Sequence, residues 1–303
     1  MRPAVRGALR EAADRPRGRC SEDVPPRSRR GPSRRPEQGV TAPPDRDFPW
    51  WLLILGIGGG VAFARIVSDE TGAAILATLL RGVRVTLFVT LVAFAMAAAV
   101  GLLLALASLS RRVVIRQAAR LYVEVVRGVP IIVLLLYVAF VLAPALVELW
   151  NRVLAPLGVE PAMTRDFTLL WRAIIALAIG YSAFLAEVFR AGLLSVDRGQ
   201  IEAAEALGLS SWLRLRLIVL PQAIRTILPP LGNDFVAMVK DSSLVSVLGV
   251  LDVTQLGKLT AAANFRYFET YNVVALVYLT LTVGLSLLLR RLEERLRRRT
   301  APR

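Results

Sequence analysis

Apolar residues fall along the chain in long runs separated by short charged loops. This is not the one-faced pattern of a soluble domain. From Trp50 onward the runs are Trp50–Val67 ("WWLLILGIGGGVAFARIV"), then roughly Leu76–Leu109, Ile131–Leu149, Leu169–Phe189, Leu217–Leu248 and Tyr271–Leu289. A helix needs about twenty apolar residues to cross a bilayer. Backbone in lipid must satisfy its own polar groups, and the runs lack the alternation of barrel strands. The predicted fold class is therefore an all-α membrane protein.

The first run is the marginal one. Trp50 and Trp51 suit a membrane interface. Gly56 and Gly60 form a small-xxx-small pair, which predicts close helix packing. "AFA" at Ala62–Ala64 offers a rival reading as a signal-peptidase site. The basic segment before it is too long for a typical signal, so a retained helix over 50–67 is the expectation.

Charge orients the bundle. Net charge is +15, carried almost entirely by Arg, with Lys240 and Lys258 the only lysines. The arginines flank the apolar runs, as the positive-inside rule requires. Arg111, Arg112, Arg116 and Arg120 are expected in one loop, and Arg190, Arg198, Arg214 and Arg216 around another. Arg290–Arg299 follow the last run. Acidic residues (Asp69, Glu70, Asp166, Asp252, Glu269) mark the opposite side, where Arg81, Arg84 and Arg152 are exceptions. Six spans with both ends cytoplasmic result, or five if the first is cleaved. Residues 1–47 are rich in Arg and Pro and predict a disordered cytoplasmic tail. Residues 291–303 form a basic cytoplasmic tail. The placement of the arginines explains the charge without a nucleic-acid partner.

Composition removes several chemistries. One cysteine, Cys20, and no histidine exclude a disulfide framework, a Cys/His metal site and His-dependent nucleophilic catalysis. No Gly-x-x-x-x-Gly-Lys-Ser/Thr loop is present, so the chain cannot cradle ATP phosphates itself. An intramembrane enzyme would have to work with Asp234, Asp241 and Glu187, and no paired-aspartate motif appears.

Buried charge is costly in a bilayer and marks function by default. The densest set is Asn233, Asp234, Lys240, Asp241, Ser242 and Ser243, expected on a translocation path for a small polar solute. Pro229, Pro230 and Gly232 are expected to break the helix just before it and expose backbone groups. The competing reading is local compensation of Lys240 by Asp241. Glu187 with Arg190, and Glu124 with Arg127, are three apart and predict intrahelical pairs.

"GQIEAAEALGLSSWLRLRLIVLP", Gly199–Pro221, breaks the apolar pattern. Gly199–Leu207 reads as a short helix with an apolar stripe of Ile201, Ala204 and Leu207 edged by Glu202 and Glu205. Gly208 supplies a left-handed closing residue. Ser210 or Ser211 caps a second helix, and Pro221 marks where that helix meets the next span. The product is a helix–Gly–helix elbow suited to docking in a groove of another protein.

The spacing of Glu202-Ala203-Ala204, Gly208, Ile218 and Leu220-Pro221, preceded by Gly199-Gln200, resembles the EAA loop of ABC-transporter permeases. "RGVP" (Arg127–Pro130), "AEVFRAGLLSVDRGQIEAAEALGL" (Ala186–Leu209), "LPQAIRTILPPLGNDF" (Leu220–Phe235) and "KDSSLVSVLG" (Lys240–Gly249) are similar to the polar-amino-acid branch. Leu134 and Phe184 depart from that pattern, which has Gln and Tyr there in many members. The resemblance spans residues 76–290. It implies a type I ABC importer transmembrane domain, with five core helices plus an extra N-terminal one.

The resemblance also implies a cytoplasmic-membrane permease whose elbow couples to separate ATPase subunits. ATP-Mg would be used by those partners, and no cofactor would be bound by this chain. A second permease (homo- or heterodimer), an extracytoplasmic solute-binding protein, the amino acid and membrane lipid complete the expected partners. Import of another small solute, such as methionine or an opine, is the runner-up. A channel is disfavoured, since a channel needs no ATPase dock.

Overall fold

The structure is a computed structural model that describes residues 50–154 and 158–299. The tail expected over 1–47 and the last four residues lie outside the described residues. Among the described residues all regular structure is helical.

Helices α1 (Trp50–Ser68) and α2 (Glu70–Ser108) come first. At 39 residues α2 is about 58 Å long at 1.5 Å per residue. It starts earlier than the apolar run predicts because Asp69 caps it, accepting from the Gly72 backbone N–H at 2.9 Å. Arg81 and Arg84 therefore lie in its first half.

Helix α3 (Val113–Gly128) occupies what the charge pattern predicted as an Arg loop, so Arg116 and Arg120 are helical. Pro130 then opens a span made of α4 (Ile131–Tyr137), a π-helical turn (Val138–Leu142) and α5 (Ala143–Leu154). Helix α6 (Leu169–Leu194) is the most enclosed.

The remaining elements are α7 (Arg198–Ala206), α8 (Ser211–Arg214), a π-helical turn (Leu215–Val219), α9 (Leu220–Asp241), a 3-10 segment (Ser242–Leu248), α10 (Val253–Asn264) and α11 (Tyr267–Arg299).

Among the described residues four helices are long and apolar enough to cross a membrane: Glu70–Ser108, Ile131–Leu154, Leu169–Leu194 and Tyr267–Arg295. Leu52–Ser68 is apolar but shorter. The run expected as a single span over Leu217–Leu248 is instead divided, and α9 carries Arg225, Asp234, Lys240 and Asp241 within it.

The core forms where α2 lies against α6. Ala93, Ala97, Gly101 and Ala105, each four residues apart, are all buried. That stripe of small residues lets the backbones approach, as small residues do in membrane bundles. A Cβ on Gly101 would stand 3.0 Å from Leu185 Cβ and from the Ser182 carbonyl. The pair expected to do this work in α1 does not do it within this chain. A Cβ on Gly56 or Gly60 would meet nothing within 4 Å.

Arg172 ties the turn before α6 to the bundle. It is 7% exposed, and its guanidinium donates to the carbonyls of Phe167 (2.7 Å), Ala139 (3.0 Å) and Thr164. Ala139 sits in the π-helical turn of the preceding span. Asp252 works at the start of α10, accepting from Gln255 N–H (2.8 Å) and Tyr278 O–H (3.1 Å).

Candidate functional site

The elbow is built by local rules. Asp197 caps α7 by accepting from Gly199 N–H at 2.6 Å. This cap was missed in the sequence, although an Asp before a short Ala-rich helix is a start signal. Gly208 has φ +76°, and Leu209 N–H reaches back to the Ala204 carbonyl at 3.1 Å, closing the helix. Ser210 is the cap of α8, accepting from Leu213 N–H at 3.4 Å. From there the chain stays helical through the π-helical turn, which holds Ile218, into α9, and Leu220-Pro221 forms its first turn.

One side-chain bond ties the elbow to the bundle, Gln222 of α9 donating to Gln200 of α7 at 2.5 Å. The Arg214–Glu205 pair braces α8 against α7 within the elbow, and Ser195 at the end of α6 donates to Thr226 of α9 at 3.1 Å just behind it. Gly192 faces Ile227 so closely that a Cβ there would overlap its side chain.

The apolar stripe expected on α7 divides. Ala204 is 2% exposed and packs inward, while Leu207 is 80% exposed. The reason is geometric: Leu207 is already leaving the helix at φ −78°, ψ 3°. Glu202, Ala203 and Ala206 are exposed, as is Trp212 on α8. Glu205 is committed to Arg214, whereas Glu202 has no ion pair among the described residues. The elbow thus presents one unneutralised carboxylate beside two large apolar side chains.

The polar set of α9 also divides. Asp241 points into the bundle, where Tyr181 O–H donates to it at 2.8 Å. Lys240 is exposed and lines a cavity of about 300 Å³ with Val236 and with Thr282, Ser286 and Arg290 of α11. Compensation of Lys240 by Asp241 is therefore not what the geometry shows. Asn233 is exposed and Asp234 half-buried, next to Phe235, whose ring meets Phe94 edge-on at 5.1 Å. Ser242 is buried and donates to the Val239 carbonyl at 2.7 Å; Ser243 is half-buried.

The helix is not broken at Pro229, Pro230 and Gly232 as expected; α9 runs through all three. A proline's missing donor can be absorbed when neighbouring groups serve the orphaned carbonyl. The departure from α-helix comes after Asp241, in the 3-10 segment that ends at Gly249 with φ +79°.

A third region joins α2, α3 and α6 at the elbow end of the bundle. Glu187 and Arg190 pair there at 2.6 Å, as their spacing predicts. Glu124 and Arg127 do not pair. Arg127 instead lies over the Phe184 ring, 5.6 Å from its centroid, and Phe184 is 6.0 Å from Tyr181. Spacing along α3 carries no sign of this contact, because the ring comes from another helix.

Fold and site together define a class: the transmembrane domain of a type I ABC importer. The family described as "binding-protein-dependent transport system inner membrane component" matches residues 97–301. Relatives include the probable amino-acid permease protein YxeN of Bacillus subtilis, 40% identical over 70% of this chain and 88% of its own. The glutamine transport system permease protein GlnP of Escherichia coli is 36% identical over 72% and 93%. A crystal structure of an amino acid ABC transporter with histidines superimposes with a TM-score of 0.61 at 35% identity, covering 72% of this chain and 94% of that one. The chain belongs to the inner-membrane permease family of binding-protein-dependent ABC importers. It is a multi-pass membrane subunit of such an importer, in which ATP is hydrolysed by a separate subunit.

Proposed function

We propose that the chain imports polar amino acids, forming the path while its elbow receives the stroke of an ATPase. The observation that carries the reading is the elbow. It is anchored to the bundle by the Gln222–Gln200 bond and by buried Ala204, and braced internally by the Arg214–Glu205 pair, yet it leaves Glu202, Leu207 and Trp212 outward. A lever needs both a rigid root and an unsatisfied face. The named functions of the relatives at 40% and 36% identity support amino acids as cargo.

In this reading the Arg-rich elbow side and the C-terminus are cytoplasmic. Two ATPase subunits dock there, using ATP-Mg, and this chain binds no cofactor. A solute-binding protein delivers cargo from the opposite face. A second permease, identical or paralogous, completes the path. Asn233, Asp234, Lys240, Asp241, Ser242 and Ser243 face solute during passage, with Asp241 held ready by Tyr181. Closure of the ATPases swings the elbows and rotates the spans about that path.

Reconstitution of the chain with its ATPase and binding protein in proteoliposomes tests this. ATP-dependent uptake of a polar L-amino acid is expected. Ion flux without nucleotide, or uptake that ignores ATP, would overturn it.

A further inference from the structure

The cavity between α2, α3 and α6 holds about 400 Å³ and lies at the elbow end of the bundle, away from the Tyr181–Asp241 bond. Its charged lining is Arg120, Glu124 and Arg127 from α3 with Glu187 and Arg190 from α6. Glu187 and Arg190 neutralise each other at 2.6 Å. Glu124, Arg120 and Arg127 make no ion pair among the described residues, although Glu124 sits at helical spacing from both arginines. Arg127 is drawn off by the Phe184 ring. A carboxylate and two guanidiniums, all exposed, thus line one water-accessible cavity without pairing with one another.

That arrangement selects among ligands. A simple anion would meet Glu124 between the two arginines. A zwitterion meets a partner for each of its charges, and a guanidinium holds a carboxylate with two parallel hydrogen bonds. The volume is in the range of small-molecule sites and admits one amino acid with water.

We infer that this cavity is a second amino-acid station, at which Glu124 takes the ammonium and Arg127 the carboxylate before release at the elbow end. It rests on the amino-acid reading above. Phe184, 5.6 Å from Arg127 and 6.0 Å from Tyr181, links this station to the one around Asp241.

Equilibrium binding of radiolabelled L-glutamine to the full-length permease with its ATPase, nucleotide-free in lipid nanodiscs, tests the station. Any other polar L-amino acid that the uptake assay supports would serve as well. Wild type should hold a second amino acid per permease chain. Glu124→Gln and Arg127→Lys should each weaken that one by about ten- to a hundredfold and spare the first, since a hydrogen bond to a charged group contributes about 1.5–3 kcal/mol. Asp241→Asn should do the reverse. Glu124 is exposed, so Glu124→Gln leaves the packing intact.

A single amino acid per chain alongside normal uptake would overturn the station alone. So would a second amino acid indifferent to Glu124→Gln, or one displaced by inorganic phosphate, which would make the cavity a simple anion pocket. Failure of wild type to import any amino acid would remove the amino-acid reading, and the station with it.

Discussion

The elbow and the polar stretch of α9 are neighbours in sequence and behave differently. In the elbow the caps and the closing turn are satisfied within a few residues. Asp197 holds Gly199, Leu209 reaches back to Ala204, and Ser210 holds Leu213. In α9 the partners come from far away. Asp241 is held by Tyr181 of α6, Lys240 looks toward α11, and Phe235 meets Phe94 of α2. A segment made by local bonds can swing as a body without losing its shape. A segment made by distant bonds changes partners when its neighbours move. A lever wants the first property and a solute path the second.

The sharpest way to break this contrast is Glu202→Lys. Glu202 is exposed and has no ion pair among the described residues, so the change removes no contact that holds the fold. Uptake should be lost entirely while the protein remains in the membrane fraction at wild-type level; normal uptake would sink the coupling role. Next is Asp241→Asn, which keeps an acceptor for Tyr181 but removes the charge. Uptake should fall by about ten- to a hundredfold with thermal stability unchanged, as for a lost charged hydrogen bond.

Gly192→Val sharpens the root of the lever. Its added atoms overlap Ile227, and overpacking of this kind costs about 1–3 kcal/mol, visible as a lower melting temperature in detergent. The smallest effects belong to the elbow's own ties. Ser210→Ala should cost about 1 kcal/mol as a lost cap. Glu205→Gln should cost less than about 1 kcal/mol, because the pair with Arg214 is partly exposed. Both should leave detectable uptake.

The same contrast explains what was legible in the sequence. The helical membrane class followed from run length alone. The elbow followed from Gly208 and Ser210, whose roles depend on their own backbone. Glu187 and Arg190 followed because both sit on one helix. What failed needed a second helix. Arg127 leaves Glu124 for a ring on α6, and Lys240 leaves Asp241 for α11. The proline pair in α9 failed for a related reason, since the helix continues where the bundle supports it. The close packing expected at Gly56 and Gly60 occurs instead at Ala93, Ala97 and Gly101. Composition shows small residues in both places, and only the partner helix distinguishes them.

In the proposed function the outward face of the elbow receives an ATPase. The direct measurement is affinity purification of the chain from its native membrane in mild detergent, beside a Leu207→Asp variant, with partners identified by mass spectrometry. Leu207 is 80% exposed, so the variant should insert normally. An ABC-type ATPase should accompany the wild type and be lost from the variant. An ATPase retained equally by both, or a wild type that purifies alone, would contradict docking at that face.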